Sequence, residues 1–209
     1  MVNKSWSRPG RLIAFEGPDG CGKSTQAKIF FDLLHNKKKI MLTEPTQSGL
    51  GRWIRKELSN KRDQLSNMEL QLLFIANRRE YMDEVERKLD DGYDIVMDRF
   101  TPGTIVYGAA KGLGMKRMIE LNKRAGIIDP YVIFYLKIPV EDAMARLSKR
   151  TGKKRERFED LKTQRVVHRN YDRLARMQKE WWVRVDGSGS IKETASSVRA
   201  VWDKISKRA

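Results

Sequence analysis

The residues from Gly17 to Thr25 have types and spacing that suit phosphate binding. Two glycines separated by four residues precede a lysine and a serine in the run Gly17-Pro18-Asp19-Gly20-Cys21-Gly22-Lys23-Ser24-Thr25. Glycines let the backbone curl so that successive N–H groups point at phosphate oxygens. Lys23 can then reach the β- and γ-phosphates, and the Ser24 hydroxyl can hold Mg²⁺. An apolar run precedes this stretch and a helical pattern follows it, so we predict a nucleoside triphosphate site.

A second candidate group follows the apolar run at 93–97. Asp98 ends this run, where a carboxylate beside the phosphate loop could hold Mg²⁺ directly or through water. The next residue, Arg99, has the charge and geometry to bind a second, acceptor phosphate. The alternative is a turn-forming Asp after a strand.

Two further features each allow a structural or a functional interpretation. Phe74 and Arg78 lie four residues apart, on one face of a predicted helix. They are either a core residue and a surface residue, or a pair that stacks on a base and donates hydrogen bonds to it. The run 149–157 carries six basic residues and one acidic residue. It is either a solvated charge run or a lid that places an arginine on the γ-phosphate of ATP.

Strands that alternate with helices predict a parallel sheet covered on both faces. We expect strands at 11–16, 40–43, 93–97, 131–138 and 181–185. Helices are expected at 23–35, 51–58, 67–90, 140–149, 158–180 and 191–207, with one or two more between 104 and 124. In the long helix, the residues expected to face the core are Leu72, Leu73, Ala76, Val85 and Leu89.

Composition limits the class of protein. The length of 209 residues suits one domain, which we take to be 1–209 with a short N-terminal extension at 1–10 and a basic lid at about 149–157. The only cysteine, Cys21, excludes an intramolecular disulfide. No apolar run approaches the ~20 residues that cross a bilayer, and the first ten residues lack the apolar centre of a secretory signal. We therefore expect a cytoplasmic protein without a membrane partner.

The net charge of +16 indicates an anionic partner. Between Arg146 and Lys179 there are 13 Lys and Arg against 4 Asp and Glu. This concentration favours a site that clamps nucleotide phosphates over a uniformly basic surface. A nucleic-acid-binding ATPase or regulatory protein is the alternative, although the sequence has neither an RNA-binding signature nor a helix-turn-helix pattern.

Five motifs in order make the chain resemble the thymidylate kinase family. They are Gly17 to Gln26, Leu72 to Arg78, Asp98-Arg99-Phe100, Arg157-Phe158-Glu159 and Val185-Asp186-Gly187. The resemblance spans about Arg11 to Ile205. It implies an α/β fold with a five-stranded parallel sheet of the P-loop nucleoside monophosphate kinase type, a homodimer, and transfer of the γ-phosphoryl group of ATP to dTMP with Mg²⁺.

The resemblance also implies roles for single residues. The phosphate-loop residues Gly17 to Thr25 and Arg146 would bind ATP, with Ser24 and Asp98 at the metal. The residues expected at the acceptor are Phe74 under thymine, Arg78 at its carbonyl oxygen, Arg99 at its phosphate, Tyr107 at the deoxyribose, Glu44 and Pro45. The residues expected to take part in catalysis are Lys23, Asp98, Arg99, Asp19 and the lid arginines Arg150, Arg155 and Arg157.

Departures from the family pattern occur mainly on the acceptor side. Thr43 stands where many members have arginine, Gly103 where serine is usual, and Gly108 where a polar residue often contacts the base. Gly20 stands where some members carry a catalytic arginine, so the lid would have to supply that charge. These differences leave open a kinase for dUMP, dGMP or another monophosphate, and an inactive relative.

Overall fold

The computed structural model of the protein describes residues 2–60, 65–149 and 157–206. In chain order, its elements are β1 (Leu12–Glu16), α1 (Lys23–Leu33), β2 (Lys39–Thr43), α2 (Gly49–Leu58), α3 (Asn67–Asp90), β3 (Asp94–Asp98), α4 (Thr101–Ala110), α5 (Met115–Arg124), β4 (Val132–Lys137), α6 (Val140–Ser148), α7 (Leu161–Met177), β5 (Trp182–Asp186) and α8 (Ile191–Ile205).

The strands form one parallel sheet in the order β2-β3-β1-β4-β5, which confirms the predicted fold class. Because β1 lies at the centre, the loop that follows it emerges between two neighbours. Phe15 pairs with Asp98 of β3 on one side and with Phe134 of β4 on the other. The carboxyl ends of the strands therefore gather the phosphate loop and Asp98 at one edge of the sheet.

Helices cover both faces of this sheet. The first core layer joins the sheet to α2, α3, α4, α5 and α7, and the second joins it to α1, α6 and α8. The alternation of β1 shows why both layers are apolar: Leu12 and Ala14 point into the first, Ile13 and Phe15 into the second. A strand buried on both faces favours apolar side chains on both, and Leu12 to Phe15 are all apolar.

The long helix α3 begins and ends where the sequence predicts. Ser66 accepts a hydrogen bond from the backbone N–H of Glu69, and the Glu69 carboxylate accepts one from the backbone N–H of Ser66, which fixes the start. The prediction of its core face is partly wrong. Val85 and Leu89 are buried, but Leu72 is 43% exposed and Ala76 is also exposed.

The residues before β1 pack against the amino ends of the strands. Asn3 donates its backbone N–H to the carbonyl of Tyr131 at 2.9 Å, and the Trp6 ring meets the Tyr131 ring edge-on at 6.0 Å. Arg8 pairs with Glu86 and Asp90 on α3. This segment thus lies at the edge opposite the phosphate loop. Among the described helices, none has the length and apolarity that a membrane span requires.

Candidate functional site

The phosphate loop connects β1 to α1 at the carboxyl edge of the sheet. Gly20 has φ +81°, and a Cβ there would lie 2.5 Å from the carbonyl oxygen of Ala143 in α6. No other side chain fits this position without moving α6. An arginine at position 20 would therefore require both a strained backbone and a shift of α6.

Lys23 is folded back over this loop. Its ammonium group donates to the carbonyl of Pro18 at 2.9 Å and lies 3.8 Å from Asp19 Oδ1. Only 5% of Lys23 is exposed, whereas Ser24, the next residue, is exposed and lines a cavity in front of the loop. The structure thus holds the lysine and serine at the predicted phosphate site.

Arg99 is turned towards the same loop by its backbone. Its φ of +73° is the only left-handed value for a non-glycine residue in the described ranges 2–60, 65–149 and 157–206. Such a conformation is strained, and it is typical of functional sites. The Arg99 guanidinium donates to Asp19 Oδ1.

Four side chains contact the carboxylate of Asp19. Besides Arg99 and Lys23, the Tyr107 hydroxyl donates to Asp19 Oδ2 at 2.6 Å and Gln164 Nε2 donates to it at 3.1 Å. Burial alone would raise the pKa of Asp19, but Arg99, Lys23 and Tyr107 outweigh burial and lower it well below its ordinary value. Asp19 is therefore an anion held between two cations.

Glu16 is a fully buried carboxylate that was not among the predicted site residues. Glu16 Oε1 accepts from the backbone N–H of Phe100 at 2.6 Å, and Oε2 accepts from the Tyr171 hydroxyl at 2.8 Å. Burial raises the pKa of Glu16, opposed by Arg99 and these hydrogen bonds. The first turn of α4 has no cap from its own N-cap side chain, so Glu16 caps it from β1. A charged residue at the end of an otherwise apolar strand was the available signal.

In front of the loop lies a cavity of about 480 Å³ between α2, α3 and α4. Predicted residues that line it are Asp19, Ser24, Glu44, Pro45, Phe74, Arg78, Asp98, Arg99 and Tyr107. Thr43 and Gly103 also line it. Arg55 of α2 was not predicted; it reaches the cavity and donates to the carbonyl of Pro45. The structure thus brings the predicted acceptor residues together beside the phosphate loop.

Arg78 is buried and held by several partners. Its Nε and Nη2 donate to the two carboxylate oxygens of Glu44, and its Nη1 donates to Asn122 Oδ1 at 2.8 Å. The Thr104 hydroxyl accepts from Nη2 at 3.1 Å. Burial alone would lower the pKa of Arg78, but Glu44 outweighs burial and raises it. This leaves one N–H of Nη1 without a partner among the described residues.

Removal of Glu44 should strongly destabilise the protein. In Glu44→Ala, the Arg78 charge stays buried without its counterion, and we expect a loss of about 3–5 kcal/mol in the free energy of unfolding. Urea unfolding measures this loss. The control is Asp83→Ala, which breaks the exposed pair with Arg79 one residue along the helix and should change stability by less than about 0.5 kcal/mol. Equal losses in the two variants would contradict this assignment.

Two further predicted residues, Arg146 and Arg157, are not among the residues that line this cavity. Arg146 Nη2 donates to the carbonyls of Gly187 at 3.0 Å and Ser188 at 3.3 Å, which joins α6 to the loop expected near adenine. Arg157 donates its backbone N–H to the carbonyl of Leu58 and Nη2 to Asn67 Oδ1, at the junction of α2 and α3. Arg150 and Arg155, with most of the predicted lid, lie outside the described residues.

Known proteins resemble this chain in sequence over most of its length. The family model of thymidylate kinase matches residues 15–198. The thymidylate kinase of Thermosipho melanesiensis is 36% identical over 202 residues, covering 92% of this chain and 97% of the relative. That of Plasmodium falciparum is 30% identical over 194 residues, covering 91% and 89%.

A solved structure gives the same result. The thymidylate kinase from Candida albicans, described as having broad substrate specificity, superimposes with a TM-score of 0.81 at 26% identity, covering 98% of this chain and 96% of that one. The fold is shared, and the family model and the relatives show that the chain belongs to the thymidylate kinase family.

Proposed function

We propose that the protein transfers the γ-phosphoryl group of ATP to dTMP, giving dTDP and ADP, a step in the synthesis of dTTP. One observation carries this proposal. The lysine of the phosphate loop and the arginine expected to bind the acceptor phosphate meet at one carboxylate, that of Asp19. Two cations that converge in front of a phosphate loop suit a phosphoryl group passing between two bound nucleotides.

The chain would catalyse this transfer mainly by positioning and by neutralising charge. Lys23 binds the β- and γ-phosphates of ATP, and Arg99 orients the acceptor phosphate for in-line attack. Because that phosphate is already an anion at neutral pH, little general-base catalysis is needed. A side chain at Gly20 would collide with the backbone of α6, which disfavours an arginine there. This supports a lid arginine, namely Arg150, Arg155 or Arg157, as the additional cation at the γ-phosphate.

The donor set suits Mg²⁺, with Ser24 and Asp98 as the residues that would hold it. Asp98 Oδ1 is buried and has no hydrogen-bond partner in the described part of the chain, as expected of an atom that awaits a cation or a water bound to one. No group of three or more potential metal-binding side chains occurs among the described residues, which fits an ion held mostly by substrate oxygens and water. When bound, Mg²⁺ neutralises charge on the phosphates.

On the acceptor side, Phe74 provides the surface on which the base stacks. The remaining N–H of Arg78 Nη1 donates to a carbonyl oxygen of the base, since Glu44, Asn122 and Thr104 occupy the other donors. Tyr107, now bonded to Asp19, packs against the deoxyribose.

The assay that tests this function is ADP formation by the purified protein with ATP, Mg²⁺ and each nucleoside monophosphate in turn. We expect the highest kcat/KM with dTMP. Comparable values with several acceptors would instead support broad specificity, as described for the Candida albicans relative. The absence of turnover with every acceptor would refute the proposal and favour a regulatory or nucleic-acid-binding protein.

A homodimer and a cytoplasmic location belong to the same proposal. Trp53 on α2 and Leu72 on α3 are 46% and 43% exposed, and these helices pack together, which supports a partner surface there. Sedimentation should give about twice the chain mass of 24.3 kDa. A cytoplasmic enzyme would have access to both ATP and nucleoside monophosphates.

A further inference from the structure

Gln71 lies on the face of α3 that lines the acceptor cavity. It precedes Arg78 by seven residues, which is two helical turns, so the two side chains point in the same direction. Both line the cavity, with Phe74 between them. Gln71 is 1% exposed. The helix therefore presents an amide, an aromatic ring and a guanidinium in succession to any ligand in the cavity.

The Gln71 amide is buried without a hydrogen-bond partner. Its Nε2 has none among the described residues, and neither does the rest of its side chain. A buried amide without partners is costly, and native proteins seldom keep one. Asn77 on the same helix shows the usual situation: its amide accepts from the backbone N–H of Thr46 and donates to side chains of Thr46, Ser48 and Glu80.

Gly108 of α4 makes room for this glutamine. A Cβ at 108 would lie 3.4 Å from Gln71 Cγ and 2.9 Å from Met118 Cγ. The space beside Gly108 is thus already filled from α3 and α5. Gln71 of α3 thus brings a polar group to the cavity lining, whereas the family pattern often has its polar base contact at the position of Gly108.

We propose that Gln71 is a second residue that recognises the base of a pyrimidine acceptor. Its amide oxygen accepts a hydrogen bond from N3–H, and its amide N–H donates one to an adjacent carbonyl oxygen. A primary amide both donates and accepts, whereas the guanidinium of Arg78 only donates. The pair therefore matches a base with a donor between two acceptors, which is the edge of thymine and uracil. This inference rests on the proposed acceptor site and adds to it the residue that recognises N3–H.

The test is Gln71→Met, which keeps the length of the side chain and removes the amide. We expect the KM for dTMP to rise about tenfold because the base loses buried hydrogen bonds, while kcat and the KM for ATP stay near their wild-type values. The ligand-free variant should melt about 2–4 °C higher, because an unpaired amide no longer has to be buried. The matched control, Gln178→Met at the end of α7, should change neither quantity.

A second measurement separates base reading from a structural role. N3-methyl-dTMP lacks the N3 hydrogen, so the wild type should discriminate against it, and Gln71→Met should reduce this discrimination several-fold. An unchanged discrimination factor, with or without a lower melting temperature, would show that Gln71 does not read the base. If the wild type fails to phosphorylate dTMP, the proposed function and this inference are both wrong. If the wild type is active and Gln71→Met has the same KM for dTMP and the same discrimination factor, this inference alone is wrong.

Discussion

Replacement of Lys23 by alanine should lower kcat by about 10³-fold or more while the protein stays folded. The lysine ammonium lies inside the phosphate loop, where exclusion of water strengthens its interaction with the charge that develops on the transferred group. In the free protein it donates to one backbone carbonyl and lies near Asp19, so its loss removes few native contacts. ADP release at saturating dTMP measures kcat, and thermal melting measures folding.

The matched control for Lys23→Ala is Lys28→Ala. Lys28 lies on the same helix, but its side chain is 73% exposed and, in the described part of the chain, pairs with Asp32 alone at 3.7 Å. We expect wild-type turnover and melting in this variant. Turnover of Lys23→Ala within threefold of wild type would mean that the loop does not act on the phosphoryl donor.

Replacement of Arg99 by alanine should lower kcat/KM for dTMP by about 10³-fold and leave the KM for ATP nearly unchanged. Arg99 is the cation that the strained backbone turns towards the loop from the acceptor side, and a guanidinium binds phosphate through two hydrogen bonds. Arg99→Lys should recover only part of this loss, because an ammonium is a point charge that cannot bind in this way. Initial rates over a matrix of ATP and dTMP concentrations separate the two constants.

The control for Arg99 is Arg124→Ala, since Arg124 is 77% exposed and pairs with Glu120 on the surface. It should have wild-type constants for both substrates. A rise in the KM for ATP that equals the rise for dTMP would place Arg99 on the donor side and contradict the assignment.

Features encoded by neighbouring residues were predictable from the sequence. The phosphate loop is one continuous stretch whose spacing specifies its conformation. The start of α3 follows from the reciprocal cap of Ser66 and Glu69. The order of the elements follows from alternating strand and helix patterns, so the fold class was correct.

Features that depend on distant contacts were not predictable. Leu72 and Ala76 look like core residues, but α3 turns its polar residues inward because the cavity lies on that side. Helix α4 begins at Thr101, earlier than predicted, since Glu16 caps it from another strand. Asn122 contacts Arg78 from α5, 44 residues away in sequence, and no local pattern announces such a contact.

The position of the two described chain ends has a practical consequence. The backbone N–H of Asn3 bonds to the Tyr131 carbonyl, and the Tyr131 hydroxyl donates to the carbonyl of Ile205. Both ends therefore meet at one tyrosine, at the edge of the sheet away from the cavity. A tether or fluorophore attached near either end leaves nucleotide access open. A short linker could also join the ends in a circular permutant with new termini at the exposed turn around Gly112.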